Sequence, residues 1–229
     1  MSANPIRGPG WPPTRWRVVA TVSALGLVAA ALAALAAGAA ASAADDQEAA
    51  RIAELLQLGP GQTVADIGAG DGEWAVQLAR AVNPDGKVYA TEIKKDLVEK
   101  IRQAADRAGL ENVSAILSGQ RDAGLPTDCC DALLVRKVYH HFTDPAAMNH
   151  QLIKALKPGG LIAIIDYTSY LGKRVQGVPK NRSNHGLATE ILTREIADAG
   201  FEVENIIQPW MDDSKVYCVI ARRPLQLAP

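Results

Sequence analysis

Short apolar runs alternate with segments of helical periodicity along most of this chain. The runs end at turn residues or acids, as buried strands do, and apolar residues spaced three and four apart indicate amphipathic helices. Strict alternation of the two predicts a parallel sheet covered by helices on both faces. We expect strands at residues 63–67, 87–92, 112–117, 132–136, 161–166, 201–207 and 215–221, helices at 47–58, 73–82, 95–108, 145–156 and 189–199, and a turn at 157–160.

The first predicted strand runs into a glycine turn over residues 64–72, with the sequence VADIGAGDG. Gly68, Gly70 and Gly72 allow the backbone to turn tightly and to approach a ligand closely. The free N–H groups of the following helix point at the same place. Asp66 favours a cationic ligand group over a pyrophosphate, and the third glycine of the dinucleotide pattern G-x-G-x-x-G is missing.

A second acid, Glu92, ends the next predicted strand, twenty residues after Gly72. At this distance a doubly wound fold places the acid that binds ribose hydroxyls. An acid before the glycine turn and an acid ending the second strand fit a ligand that carries both a cation and a ribose. S-adenosylmethionine has both, and we therefore predict it as the cofactor.

With these residues the chain resembles the class I S-adenosylmethionine-dependent methyltransferases over roughly residues 48–223. The resemblance implies a Rossmann-like, doubly wound α/β fold with seven strands in the order 3-2-1-4-5-7-6, the last inserted antiparallel. The matching segments are 66–72, Glu92, 131–135, 139–142 and 156–161.

The resemblance also implies where the cofactor binds. The first glycine loop lines the methionine part, Glu92 binds the ribose, and adenine meets an acid or amide after the third strand, which leaves Gln120 and Asp122 as alternatives. Arg136 ends the fourth strand at the edge of the sheet where ligands bind. The predicted cofactor-binding residues are Asp66, Gly68, Ala69, Gly70, Glu92, Gln120, Asp122 and Arg136.

Methyl transfer from a sulfonium mainly requires that the nucleophile be positioned and water excluded. A general base is needed only if the nucleophile carries a proton that must leave. His140 and His141 follow the fourth strand, and we expect at most one of them to face the substrate. His185 lies in a long loop over residues 167–188, a candidate lid. These three histidines are the predicted catalytic residues, with capping or packing roles as the alternative.

The same loop carries Lys173, Arg174, Lys180 and Arg182 without an acid before Glu190. Such a loop is either a solvated segment or a clamp for an anionic substrate or acidic lipid head groups.

An uncharged stretch covers residues 18–44, with basic residues before it and acids after it. This arrangement predicts an export signal or an inner-membrane anchor with its N-terminus in the cytoplasm. Residues 41–43 form a plausible cleavage site, and a soluble alanine-rich helix is the alternative. We therefore divide the chain into an N-terminal signal or transmembrane segment, 1–44, and a methyltransferase domain, 45–229. The compartment stays open, because S-adenosylmethionine is made in the cytoplasm while the flanking charges place the domain outside.

Charge and cysteine content exclude several other classes. Residues 1–44 carry three arginines and no acid, so the remainder has 21 Lys and Arg against 25 Asp and Glu. A domain of that sign lacks the electrostatics of a duplex-binding protein, and we expect no nucleic-acid partner. The three cysteines have no metal-ligand spacing, and we predict no metal.

The sequence thus favours a membrane-anchored or exported methyltransferase that acts on a small-molecule or lipid-like acceptor, with membrane contact through residues 18–44. One alternative is a non-catalytic module that binds S-adenosylmethionine or a nucleoside. A nicotinamide-dependent oxidoreductase is the other, disfavoured by the missing glycine. The sequence makes no prediction of the oligomeric state.

Overall fold

A seven-stranded sheet with the order β3-β2-β1-β4-β5-β7-β6 organises the fold. The computed structural model describes residues 43–168 and 186–225. Strand β7 pairs antiparallel with β5 and β6, and the remaining pairs are parallel. The predicted Rossmann-like strand order is therefore confirmed. The strands are β1 (Thr63–Ile67), β2 (Lys87–Glu92), β3 (Val113–Leu117), β4 (Cys130–Arg136), β5 (Leu156–Tyr167), β6 (Glu202–Ile207) and β7 (Val216–Arg222).

Helices cover both faces of the sheet, because the central strands are apolar on both sides. Helices α1, α2 and α3 bury Ile52, Leu78 and Ile101 against one face. Helices α4 and α5 bury Leu152 and Ile196 against the other. The helices are α1 (43–55), α2 (Glu73–Val82), α3 (Lys95–Arg107), α4 (Pro145–Ala155) and α5 (Thr189–Asp198), and a short 3-10 helix, Tyr139–His141, follows β4.

The predicted turn at residues 157–160 is wrong, since these residues lie within β5. The register between β4 and β5 shifts, with Leu156 opposite Cys130 and Leu161 opposite Ala132. The backbone of the bulged segment is held by the end of β7 instead, through reciprocal hydrogen bonds of Gly159 and Gly160 with Arg223. Paired in this way, the glycine-containing segment extends the strand rather than ending it.

Helix α1 begins at residue 43, earlier than the predicted start at 47, and ends at 55 rather than 58. Its end is set by Gln57, which has a positive φ of 54°, and by a hydrogen bond from Leu58 N to Ala53 O. Apart from β5, which begins well before its predicted start at residue 161, the other predicted elements differ from the structure by at most two residues at their ends.

The predicted membrane segment at 18–44 lies outside the described residues except for its last two positions, and so do His185 and the basic residues at 173–182. Over residues 43–168 and 186–225, no helix has the length and apolar character needed to cross a membrane.

Candidate functional site

The glycine loop after β1 is held in a backbone conformation that other residues avoid. Gly68, Gly70 and Gly72 have φ values of 72°, 58° and 91°, in the left-handed region that favours glycine. The N–H groups of Gly68 and Ala69 both donate to Thr91 O at 2.9 Å, which ties the loop to the end of β2. The loop is therefore fixed in position before any ligand binds.

The three glycines are constrained for different reasons. A Cβ on Gly68 would lie 2.8 Å from Val138 Cγ2, and one on Gly72 would lie 2.8 Å from the backbone Cα of Ile101. A Cβ on Gly70 would meet nothing within 4 Å. Packing within the protein thus explains Gly68 and Gly72, whereas the space over Gly70 is available to a ligand.

Glu92 joins the end of β2 to the glycine loop. Its Oε2 accepts a hydrogen bond from Gly70 N at 3.2 Å, and its Oε1 accepts from Ile93 N at 2.8 Å and Lys94 N at 3.2 Å. A carboxylate has about four lone-pair sites. The arrangement therefore leaves Glu92 capacity for a ligand hydroxyl while its carboxylate is held in place.

A cavity of about 390 Å³ opens beside this carboxylate. Gly68, Glu92, Gln120 and His141 are all among the residues that line it. Asp122 is not among them, and its Oδ1 accepts a hydrogen bond from Gly124 N at 2.8 Å. Of the two alternatives for the adenine contact, the placement favours Gln120. The remaining lining residues are Ile67, Thr91, Ile93, Lys94, Leu97, Ser118, Gly119, Ala123, Val138, Phe142, Thr143 and Met148.

Asp66 supplies a buried carboxyl group at the end of β1. The residue is 2% exposed, and its Oδ2 has no hydrogen-bond partner among the described residues. Burial raises the pKa of Asp66 to about 7, the charge of Arg136 lowers it, and that of Glu92 raises it. A buried carboxylate without a partner is costly. The ammonium group of S-adenosylmethionine would supply that partner, so the residues fit this cofactor.

The raised pKa of Asp66 makes binding of a cationic ligand dependent on pH. We expect the affinity for S-adenosylhomocysteine to have its full value above about pH 7. As the pH is lowered below 7, the affinity should fall by up to about tenfold per pH unit. The reason is that the ammonium lowers the pKa of Asp66, so that binding at pH 6 releases a proton. Calorimetry in two buffers of different ionisation enthalpy measures this release. An affinity that is constant from pH 5.5 to 8, without proton release, would contradict the assignment.

Arg136 ends β4 but is not among the residues that line the cavity. Its Nη2 and Nε donate to the two carboxylate oxygens of Glu48 at 2.7 and 3.1 Å, and its guanidinium lies 4.0 Å from the centre of the Trp74 ring. Trp210 Nε1 also donates to Glu48, at 2.7 Å. Burial raises the pKa of Glu48, but the hydrogen bonds from Arg136 and Trp210, together with the charges of Arg136 and Lys137, outweigh it and leave the pKa below its usual value.

The two adjacent histidines occupy different environments. His140 is 3% exposed, with its Nδ1 2.6 Å from Asp166 Oδ1 and its backbone N donating to Asp166 Oδ2 at 2.9 Å. His141 is exposed and lines the cavity. The ring centres of the two histidines are 4.1 Å apart. The structure thus places His141 at the cavity and His140 behind it, on a buried carboxylate.

Asp131 has a structural role at the start of β4. Asp131 accepts hydrogen bonds from Thr63 N and Lys157 Nζ, both at 2.8 Å, where β1 and β4 begin.

Glu48 was not among the predicted site residues. The available signal was its spacing, because Glu48 lies four residues before Ile52 and therefore on the buried face of α1.

The sequence of this chain is similar to those of known methyltransferases. A family model described as a methyltransferase domain matches residues 58–217. A protein-L-isoaspartate O-methyltransferase from Aeropyrum pernix is 33% identical over 117 residues, which is 50% of this chain and 42% of that protein. A demethylmenaquinone methyltransferase from Listeria welshimeri is 24% identical over 113 residues, which is 49% of this chain and 48% of that protein. The chain spans less than half the length of both relatives.

The fold is similar to that of solved proteins as well. The crystal structure of an S-adenosylmethionine-dependent methyltransferase from Aquifex aeolicus superposes with a TM-score of 0.66 at 24% identity, covering 76% of this chain and 89% of that one.

Proposed function

The chain belongs to the methyltransferase domain family, and we propose that it transfers a methyl group from S-adenosylmethionine to a small-molecule or lipid-like acceptor. The family match and the related structures confirm the predicted class I fold and the predicted cofactor. The observation that carries the proposal is the placement of Asp66 and Glu92 around one glycine loop. Glu92 and His141 line the cavity beside this loop, and Asp66 lies buried behind it.

Each of these residues has a distinct task in the proposed reaction. When bound, S-adenosylmethionine supplies an electrophilic methyl group. Glu92 holds the ribose hydroxyls, and Asp66 pairs with the ammonium group. His141 is exposed at the cavity and is therefore in a position to accept a proton from the acceptor, with His140 and Asp166 packed behind it.

The acceptor class is proposed from the relatives and from the N-terminal sequence. The two curated relatives are named for different acceptors, protein L-isoaspartate and demethylmenaquinone. Of these, demethylmenaquinone belongs to the class that we propose, and the apolar segment predicted at residues 18–44 would bring the domain close to lipid.

Incubation of the full-length protein with methyl-labelled S-adenosylmethionine and a cell extract tests the acceptor class. We expect label in the small-molecule or lipid fraction after separation from protein and nucleic acid. Label confined to the protein or nucleic-acid fraction would contradict the proposed acceptor. Binding of S-adenosylhomocysteine without transfer to any fraction would favour the non-catalytic module instead.

A change of His141 to alanine should lower kcat by about 100-fold or more if the acceptor loses a proton during transfer. The KM for S-adenosylmethionine should change little, because the proton acceptor acts on the other substrate. His150→Ala provides the matched control, since His150 is an exposed histidine of α4 and is not among the residues that line the cavity. An unchanged rate in His141→Ala would exclude this residue as the base.

We also propose that residues 18–44 hold the protein at the inner membrane. The segment is uncharged, and its strongly apolar side chains fall between Val18 and Leu35, which is long enough to span the hydrocarbon core. Arg15 and Arg17 would stay on the cytoplasmic side. Full-length protein should therefore sediment with membranes and resist carbonate extraction. A soluble envelope protein that starts at Ala44 or Asp45 would refute the anchor and establish export.

A further inference from the structure

A buried charged cluster joins four separate parts of the fold. It consists of Glu48 from α1, Trp74 from α2, Arg136 at the end of β4, and Trp210 from the segment between β6 and β7, and we call it the Glu48 cluster. Glu48 and Trp210 are 8% and 3% exposed. The carboxylate of Glu48 accepts three hydrogen bonds, two from Arg136 and one from Trp210.

The Glu48 cluster lies on one flank of the glycine loop. In the sheet, β1 lies between β2 and β4, and Ile67 at its end is level with Thr91 on one side and Val135 on the other. The next residues along β2 and β4 are Glu92 and Arg136. These two side chains therefore flank the glycine loop from opposite sides.

Because Glu92 binds the ribose on one side of the glycine loop, the side of the loop next to Arg136 faces the amino-acid end of the cofactor. Asp66, the partner proposed for the ammonium group, is close enough to Arg136 that the guanidinium charge lowers its pKa. Trp74, under that guanidinium, lies two residues after Gly72, in the first turn of α2. The Glu48 cluster thus includes the residue that ends β4 and a residue of the helix turn that follows the glycine loop.

A contribution to the stability of the fold does not by itself explain the Glu48 cluster. A buried ion pair is often no more stabilising than apolar residues of similar size, because both charges lose their hydration. Glu48 occupies the same face of α1 as Ile52, whose contacts are apolar. The directional bonds of Glu48 do, however, fix one guanidinium orientation, which an apolar side chain at this position would not do.

We propose that Glu48 is a positioning residue that holds Arg136 and the loop exit in the geometry needed to bind the amino-acid end of the cofactor. The inference rests on the proposed function because it requires that the cofactor be S-adenosylmethionine. It does not depend on which acceptor is methylated. Helix α1 thereby becomes part of the cofactor site although Glu48 itself is not among the residues that line the cavity.

Two ligands distinguish this role from a general packing role. S-adenosylhomocysteine carries the amino-acid end, whereas 5′-methylthioadenosine has the same adenosine without it. In Glu48→Ala and Glu48→Gln, calorimetry with the full-length protein should show a loss of affinity for S-adenosylhomocysteine of about tenfold or more. The affinity for 5′-methylthioadenosine should change by less than about twofold.

Asp46→Ala is the matched control. Asp46 Oδ1 accepts an exposed hydrogen bond from Gln77 Nε2 at 3.1 Å, so this variant removes another contact between α1 and α2 without touching Arg136. It should bind both ligands as the wild type does. If Glu48→Ala does not fold, Glu48→Gln decides, because it keeps the shape and one acceptor oxygen.

Two results would overturn the inference. One is an unchanged affinity for S-adenosylhomocysteine in a folded Glu48 variant, and the other is an equal loss for both ligands, which is the signature of a packing role. A wild-type protein that binds neither ligand would contradict the proposed function itself, and the two failures are therefore distinguishable.

Discussion

Replacement of Glu92 with alanine should weaken the binding of S-adenosylhomocysteine by about 2–3 kcal/mol, or roughly 30- to 150-fold. The carboxylate is buried, and it is held in place by N–H groups of Gly70, Ile93 and Lys94. A ribose hydroxyl that loses this acceptor loses a hydrogen bond to a charged group. The loop also loses the link between Gly70 and β2, which adds to the effect. Isothermal titration calorimetry measures the difference directly.

A conservative variant of Glu92 and a control variant accompany this measurement. Glu92→Gln keeps one carbonyl oxygen and should lose less affinity than Glu92→Ala. Glu73→Ala removes an exposed acid at the start of α2, next to the same loop, and should bind like the wild type. Wild-type affinity in Glu92→Ala would contradict the assignment of the ribose site.

Gly68→Ala should mainly lower the stability of the fold, whereas Gly70→Ala should mainly lower the affinity for the ligand. Gly68→Ala should lower the free energy of unfolding by about 2–5 kcal/mol, because it adds a positive-φ cost to a contact of 2.8 Å with Val138. Gly70→Ala should lower it by only about 1–2 kcal/mol, the cost of the positive φ alone. It should nevertheless reduce affinity for S-adenosylhomocysteine by about tenfold or more, because its Cβ enters the space that the ligand needs.

The control for these substitutions is Gly109→Ala. Gly109 has a φ of 65°, and a Cβ there would meet nothing within 4 Å, but it lies at the opposite end of α3 from the site. It should match Gly70→Ala in stability, measured by urea unfolding, and match the wild type in binding. If Gly70→Ala binds as tightly as Gly109→Ala, the ligand does not pass over this part of the loop.

Features that depend on neighbours in sequence could be predicted here. Strands β1 and β2 and helix α2 have their predicted bounds, because a short apolar run and the turn residues around it suffice to define them. The glycine loop and Glu92 come together as expected, since both follow adjacent parallel strands whose carboxyl ends meet at one edge.

Features that depend on distant partners could not be predicted. Burial of Glu48 requires Arg136 and Trp210, which are 88 and 162 residues away along the chain, and no local pattern indicates those contacts. The extension of β5 across residues 157–160 likewise depends on Arg223. The sequence also could not assign a reason to each glycine, because Val138 fills the space next to Gly68 whereas the space next to Gly70 is open.

The most direct test of the account is thermal unfolding of the full-length protein with S-adenosylhomocysteine or with NAD. A ligand that binds only the folded state raises the melting temperature, and the rise grows with the logarithm of the ligand concentration divided by its Kd. We predict that S-adenosylhomocysteine raises it in a concentration-dependent manner and that NAD at the same concentrations leaves it unchanged. A melting temperature that responds to NAD but not to S-adenosylhomocysteine would contradict the assignment of the cofactor site.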